Sequence, residues 1–153
     1  MSNPKHLDAV KTAGKTFLAA LMLLLVGLMM YQIHALQGTA RVLNYAGLVR
    51  GATQREVKLE ITGIPNDELI QYLDDILSGL KYADGHYDLV RLDDADYQTK
   101  LDAQIAYWKI LKAEIRTVRQ NGWQNTDIVR MSEVYFGLAE ETVSAAEQYS
   151  ETI

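Results

Sequence analysis

The sequence predicts an all-α protein in which an N-terminal transmembrane helix continues into an antiparallel up-down four-helix bundle. Residues 16–40 carry no charge, and residues 17–33 are almost entirely apolar. Beyond them, apolar residues recur at steps of three and four, and no run alternates apolar and polar residues for long enough to indicate a strand. A length of 153 residues fits one domain beside the apolar segment.

Residues 16–37 are predicted to be a transmembrane signal anchor. The apolar residues 17–33 would span roughly 25 Å as a helix, and the uncharged flanks extend it past the ~30 Å hydrocarbon core of a bilayer. This apolar core is longer than that of a cleavable signal peptide, and the nearest small-x-small tripeptide, at residues 38–40, lies well beyond it. We therefore expect an anchor that is not cleaved.

The orientation of the anchor is predicted from Lys5, Lys11 and Lys15, which precede it closely. Positive residues are retained on the cytoplasmic side, so residues 1–15 are expected to be a cytoplasmic tail. Residues 38–153 are then an extracytoplasmic four-helix sensor bundle on the outer side of the cytoplasmic (inner) membrane, which the chain crosses once.

The first helix outside the membrane is expected to continue the membrane helix to about Thr62. Glycine suits a helix end and proline disfavours helix in the residue before it, so residues 63–65 (Gly-Ile-Pro) should end this helix. Its apolar stripe consists of Val42, Tyr45, Val49, Ala52 and Leu59.

The second helix is expected to begin after the N-cap residue Asn66 and to end near residues 79–81. The segment 82–92 contains the turn signal Asp84-Gly85 and is predicted to be a loop. Three of its apolar residues are expected to dock on the helices: Leu89, Val90 and Leu92.

The third helix is expected to be capped by Asp93 or Asp94 and to stop at Gly122, and the fourth to open at Asn125 or Thr126. Both carry continuous stripes with steps of three and four, a pattern that fits shallow-angle packing in a bundle. Short connections make each helix run against the one before it. The stripes consist of Tyr97, Leu101, Ile105, Trp108, Leu111, Ile115 and Val118, and of Ile128, Met131, Tyr135, Leu138, Thr142, Ala145 and Tyr149.

Charge and composition exclude several classes of function. The only charged residues before residue 41 are three lysines and Asp8, so residues 41–153 carry 12 Lys/Arg against 19 Asp/Glu, a net charge of −7. A negative domain with no basic run is a poor partner for nucleic acid. The chain has no cysteine and its three histidines are scattered, so no metal site or cofactor is expected. With no Ser/His pair or glycine-framed nucleophile, we expect no catalytic residues and no enzyme activity in this chain.

The residues with the most information lie in the first helix outside the membrane. Asn44, Gly47, Arg50 and Thr53 follow one another at steps of three, and Gly51 lies four residues after Gly47. Each mid-helix glycine costs up to about 1 kcal/mol relative to alanine. The glycines would let another helix or a ligand approach the backbone, and the forked arginine donor suits a carboxylate, nitrate or phosphate.

Arg50 and Arg55 have another interpretation from spacing alone. They would pair with Glu56, Glu60 or an acid on a neighbouring helix, because helix charges are usually solvated or paired.

The run Asn44-x-Ala46-Gly47-x-x-Arg50-x-x-Thr53-Gln54-Arg55 resembles the pattern N-x-A-G-x-x-R-M-x-S-x-R. That pattern marks the membrane-proximal helix of extracytoplasmic four-helix sensor domains in nitrate/nitrite sensor histidine kinases and in type IV pilus methyl-accepting chemotaxis transducers. Over residues 14–153 the chain is also similar to the sensor half of membrane-bound kinases and diguanylate cyclases.

The resemblance implies a homodimer that binds a small anion near its axis through Arg50, with Asn44, Gly47 and Thr53 shaping the site. The sequence has Gly51 where methionine is usual and Thr53 where serine is usual. Because Gly51 widens the site, the ligand need not be nitrate. We therefore expect a small anion and make no prediction of its identity.

The predicted function is that of the membrane-anchored extracytoplasmic sensor region of a bacterial signal-transduction receptor. Any kinase or cyclase output domain would lie beyond residue 153. The alternative is a complete single-pass, membrane-anchored helical scaffold or protein-binding module without signalling output.

Overall fold

A computed structural model describes the backbone of residues 4–152 and the side chains of residues 10–152. It has four α-helices and a short 3-10 turn, with no strand in the part of the chain that it describes. This confirms the all-α class. Lys5, His6 and Asp8 lie outside the residues whose side chains are described. The helices are α1 (Pro4–Ile61), α2 (Asp67–Tyr82), α3 (Ala95–Asn121) and α4 (Ile128–Ser150), and the 3-10 turn covers Trp123–Asn125.

The chain divides into two compact units, Met1–Gln37 and Gly38–Ile153. In the first unit, apolar side chains such as Phe17, Leu23 and Met30 are exposed. The described part of α1, Val10–Ile61, contains a stretch that is long and apolar enough to cross a membrane, and none of that stretch is buried. By length and composition, α1 is therefore a candidate membrane span.

The second unit is built on one hydrophobic core to which all four helices and the loop before α3 contribute. Trp108, Tyr97 and Tyr135 are its largest fully buried side chains. Both predicted stripes on α3 and α4 supply core residues, which is why these two helices bury one face along most of their length. Its fully buried aliphatic residues are Val42, Val49, Leu73, Ile76, Leu80, Leu92, Leu101, Leu111, Ile115 and Ile128.

Most helix ends follow from local sequence. The Asn66 side chain accepts a hydrogen bond from the Leu69 N–H at 3.0 Å, which confirms it as the N-cap of α2. Of the two candidates for α3, Asp94 is the cap and accepts from the Tyr97 N–H at 2.8 Å. Gly122 ends α3 with a positive φ of 78°, as its position predicts.

The predicted start of α4 is wrong by one or two residues. Asn125 belongs to the 3-10 turn, and the Thr126 hydroxyl donates back to the Trp123 carbonyl at 2.7 Å. The helix begins only after Asp127, whose N–H is bound by the Glu114 carboxylate on α3 at 2.7 Å. Asp127 makes no side-chain cap, and its own N–H is instead held by a residue distant in sequence.

The loop between α2 and α3 packs against two glycines. A Cβ atom at Gly38 would lie 3.0 Å from both Val90 methyl groups, and one at Gly79 would lie 3.0 Å from a Leu89 methyl. Such distances are tighter than most real Cβ contacts, so glycine at both positions lets the loop lie this close without a shift of Val90 or Leu89. Leu89 and Leu92 are buried, as predicted, whereas Val90 stays 38% exposed.

Candidate functional site

Arg50 lies on α1 with its side chain one-third exposed and forms an ion pair with Glu140 of α4. Its guanidinium carbon is 5.7 Å from the centre of the Phe136 ring, one helical turn before Glu140. Nearby, the Gln54 amide donates to the Ser132 carbonyl at 3.1 Å. The acid on a neighbouring helix that spacing offered as an alternative partner is present, and it joins α1 to α4.

The other three candidate residues have different surroundings. Asn44 is exposed, Gly47 is half-buried, and Thr53 is fully buried. The Thr53 hydroxyl donates to the Val49 carbonyl at 2.9 Å, within α1 itself. The candidates therefore do not converge on one enclosed pocket within a single copy of the chain.

The two glycines of the motif have open surroundings. A Cβ atom at Gly47 or at Gly51 would meet no atom within 4 Å outside its own helical turn. Gly137, next to Phe136 on α4, is open in the same way. Packing within one copy therefore gives no reason for glycine at these positions, and space remains beside Arg50.

Sequence reasoning missed a group of charged residues that we call the charge cluster: Glu56, Glu60, Asp67 and Arg119. The Glu60 side chain is 1% exposed and accepts from Arg119 Nε with both oxygens at 3.0 Å. Arg119 also donates to Asp67 at 2.7 Å. The cluster joins the last turns of α1 and α3 to the first residue of α2.

Glu56 is the most deeply buried member of the cluster. Its residue exposure is 0%, and neither carboxyl oxygen receives a hydrogen bond from any residue that the structure describes. Burial, reinforced by the neighbouring Glu60 carboxylate, raises the pKa of Glu56 to about 8, against an ordinary value of 4.5. Burial and the neighbouring carboxylate thus both favour the protonated form of Glu56.

A signal for this cluster was present in the sequence. Val42, Ala46, Val49, Thr53, Glu56 and Glu60 follow one another at alternating steps of four and three, and all six are buried. Strict counting of the stripe would have placed both glutamates in the core. A stripe that counts only apolar residues leaves Glu56 and Glu60 out.

A second polar group links α2 to α3. The Asp74 carboxylate accepts from the Trp108 indole N–H at 2.7 Å and from Lys112 Nζ at 2.6 Å. Lys112 Nζ lies 5.6 Å from the centre of the Trp108 ring. A hollow of about 370 Å³ opens beside these residues, with Asp102 and Lys109 on its wall. Two aspartates and two lysines line it, so its charges give no clear preference for an anion or a cation.

The core also contains two buried tyrosines. The Tyr135 hydroxyl accepts from the Gln104 amide at 3.1 Å, and its ring packs 5.7 Å from that of Trp108. Burial raises the pKa of Tyr135 to about 12, so its phenol stays neutral. Burial also raises the pKa of Tyr97, whose hydroxyl has no hydrogen-bond partner among the described residues. These tyrosines hold the core together and are not exposed to a ligand.

Comparison of the chain with protein-family models, curated proteins and solved structures gave no match. Within the described residues, no group of three or more His, Asp or Glu side chains is arranged to hold a metal ion. The candidate site itself consists of one partly exposed arginine beside two open glycines.

Proposed function

We propose that residues 38–153 form an antiparallel up-down four-helix bundle that serves as the extracytoplasmic sensor of a bacterial signal-transduction receptor. Residues 16–37 anchor it in the cytoplasmic membrane, with residues 1–15 inside. The short connections at residues 62–66 and 122–127 support an antiparallel course of α2 against α1 and of α4 against α3, because they are too short to carry the chain back along a helix. The exposed apolar stretch of α1 supports the anchor.

The ligand is a small anion that binds near Arg50 at the interface of a homodimer, with Asn44, Gly47 and Thr53 shaping the surroundings. The observation that carries this proposal is the one-third exposed Arg50 on the open glycine face of the helix that contains the apolar stretch. A second copy or a ligand can approach the backbone at Gly47 and Gly51, where a larger side chain would prevent contact.

The Arg50–Glu140 ion pair suggests how the anion would act. Within one copy the Glu140 carboxylate pairs with one nitrogen of the Arg50 guanidinium, and an incoming anion would compete with this carboxylate and displace it. Displacement breaks an α1–α4 contact, and the two arrangements of these helices then bind the anion unequally, as a ligand-driven switch requires. A shift of 1–2 Å between the helices would pass along α1 towards the membrane.

The second candidate function is a membrane-anchored scaffold or protein-binding module without signalling output. The Arg50–Glu140 pair also favours this alternative, because it leaves the arginine with a partner in the absence of any ligand. The two functions differ in whether a small anion changes the stability of the domain.

An anion screen tests the proposal. The full chain in lipid nanodiscs is unfolded thermally with nitrate, nitrite, phosphate, sulfate or acetate at constant ionic strength. Trp108 and Trp123 both lie in the second unit, so their fluorescence reports on it. We expect one anion to raise the Tm, since a ligand at 100 times its Kd adds about 2.7 kcal/mol to the free energy of unfolding.

Three variants make the screen specific. Arg50→Ala should abolish the rise in Tm, and Glu140→Gln should strengthen anion binding because the competing carboxylate is removed. Arg116→Ala, at an exposed arginine of α3, is the matched control and should respond like the parent. An equal response in Arg50→Ala and parent, or no response to any anion, would contradict the proposal.

A further inference from the structure

Glu56 is a carboxyl group in surroundings that disfavour its charged form. It is fully buried, and no donor from the described residues reaches either of its oxygens. An isolated ionised carboxylate is very costly to bury, so such groups take up a proton in place of remaining charged. The geometry alone therefore favours the neutral acid.

The charged groups around Glu56 add to this preference. Glu60 faces it from the same helix, Asp67 from α2 and Arg119 from α3. The single guanidinium is already shared between the Glu60 and Asp67 carboxylates. If Glu56 ionised, three carboxylates would surround one arginine, and the third would have no donor.

The cluster lies where three helices are joined. Glu56 and Glu60 are in the last two turns of α1, Asp67 is the first residue of α2, and Arg119 is in the last turn of α3. A new negative charge at Glu56 would act on all three helix ends at once. The protonation state of Glu56 is thus linked to the stability of the contacts among the ends of α1, α2 and α3.

We propose that Glu56 is a proton-binding site through which the second unit responds to the pH of its surroundings, with the protonated form firmly packed and the ionised form loosened. The proton is a ligand in its own right here. Its site is separate from Arg50 and does not depend on the anion proposal.

The expected direction of the pH dependence follows from linkage. An unfolded glutamate loses its proton near its ordinary pKa of 4.5, whereas the folded chain retains it until about pH 8. Between these values the folded state binds one more proton than the unfolded state, so stability falls as pH rises. The folding equilibrium constant should fall up to about tenfold per pH unit across this range and level off above it.

The test is urea unfolding of the full chain in nanodiscs, followed by tryptophan fluorescence at a series of pH values from about 5.5 to about 7.5. In the parent we expect at least about a tenfold fall in the folding equilibrium constant over this range. Glu56→Gln, which is isosteric and cannot ionise, should remove most of that fall. Glu133→Gln, at an exposed glutamate of α4, should keep it.

A second measurement does not depend on the variant folding. Carbon-13 labelling of glutamate in the parent chain lets NMR follow each carboxyl carbon through a pH titration. One glutamate should titrate far above the others, and its signal should be missing in Glu56→Gln. The proposal is overturned if no glutamate of the parent titrates above about pH 6.5, or if Glu56→Gln keeps the parent's pH slope.

Discussion

Replacing Trp108 with alanine should remove about 4 kcal/mol from the free energy of unfolding of the second unit. The indole is 2% exposed, packs against the Tyr135 ring and donates its N–H to Asp74. Its loss leaves a large cavity at the centre of the core and takes one donor from a half-buried carboxylate. Urea unfolding of the full chain in detergent, followed by circular dichroism, measures the effect.

Trp108→Phe separates the two contributions. It keeps an aromatic ring in the core but has no N–H for Asp74, which retains Lys112. We expect it to lose about 1–2 kcal/mol, clearly less than alanine. A loss below about 1 kcal/mol for Trp108→Ala would mean that the core does not depend on this residue.

Arg119→Met should destabilise the second unit by about 3 kcal/mol. The methionine keeps an apolar stem of similar length but removes the guanidinium that binds Glu60 and Asp67. The Glu60 side chain is 1% exposed, so its charge is left buried without a partner. Asp67 is 81% exposed, and water screens its charge. The loss of the Arg119–Asp67 ion pair therefore contributes little to the change in stability. The same urea unfolding measures the change.

Two further variants show whether the lost ion pair is the cause. Arg116→Met, at an exposed position one turn earlier on α3, should change the stability by no more than about 0.5 kcal/mol. The double variant Arg119→Met with Glu60→Gln should recover part of the loss, since no buried charge then lacks a partner. If the double variant is as unstable as the sum of the single variants, the pair does not account for the effect.

Local signals in the sequence were enough for most of the helix boundaries. Asn66, Asp94 and Gly122 each act through atoms within four residues, so a short window contains everything that sets them. The start of α4 was missed because Asn125 lies in the 3-10 turn, Thr126 donates back to it, and Glu114 on another helix binds the Asp127 N–H. Close loop packing at Gly38 and Gly79 likewise depends on residues that the sequence cannot place in space.

The surroundings of the candidate site were harder to predict for the same reason. Glu140, the partner of Arg50, lies 90 residues away in the sequence, and no local pattern selects it among the acids of α4. Glu56 was missed for a different reason. Charged residues are almost never fully buried, so an apolar stripe is not normally continued through a glutamate.

The orientation of the chain in the membrane is the claim on which the proposed function depends most directly. The sequence contains no cysteine, so single-cysteine variants can be labelled without background. Ala13→Cys reports on the predicted cytoplasmic tail, and Gln71→Cys, at an exposed position of α2, reports on the second unit. In intact bacterial spheroplasts, a membrane-impermeant maleimide should label Gln71→Cys, whereas Ala13→Cys should be labelled only after the membrane is broken. Labelling of Ala13→Cys but not of Gln71→Cys in intact spheroplasts would contradict an extracytoplasmic sensor.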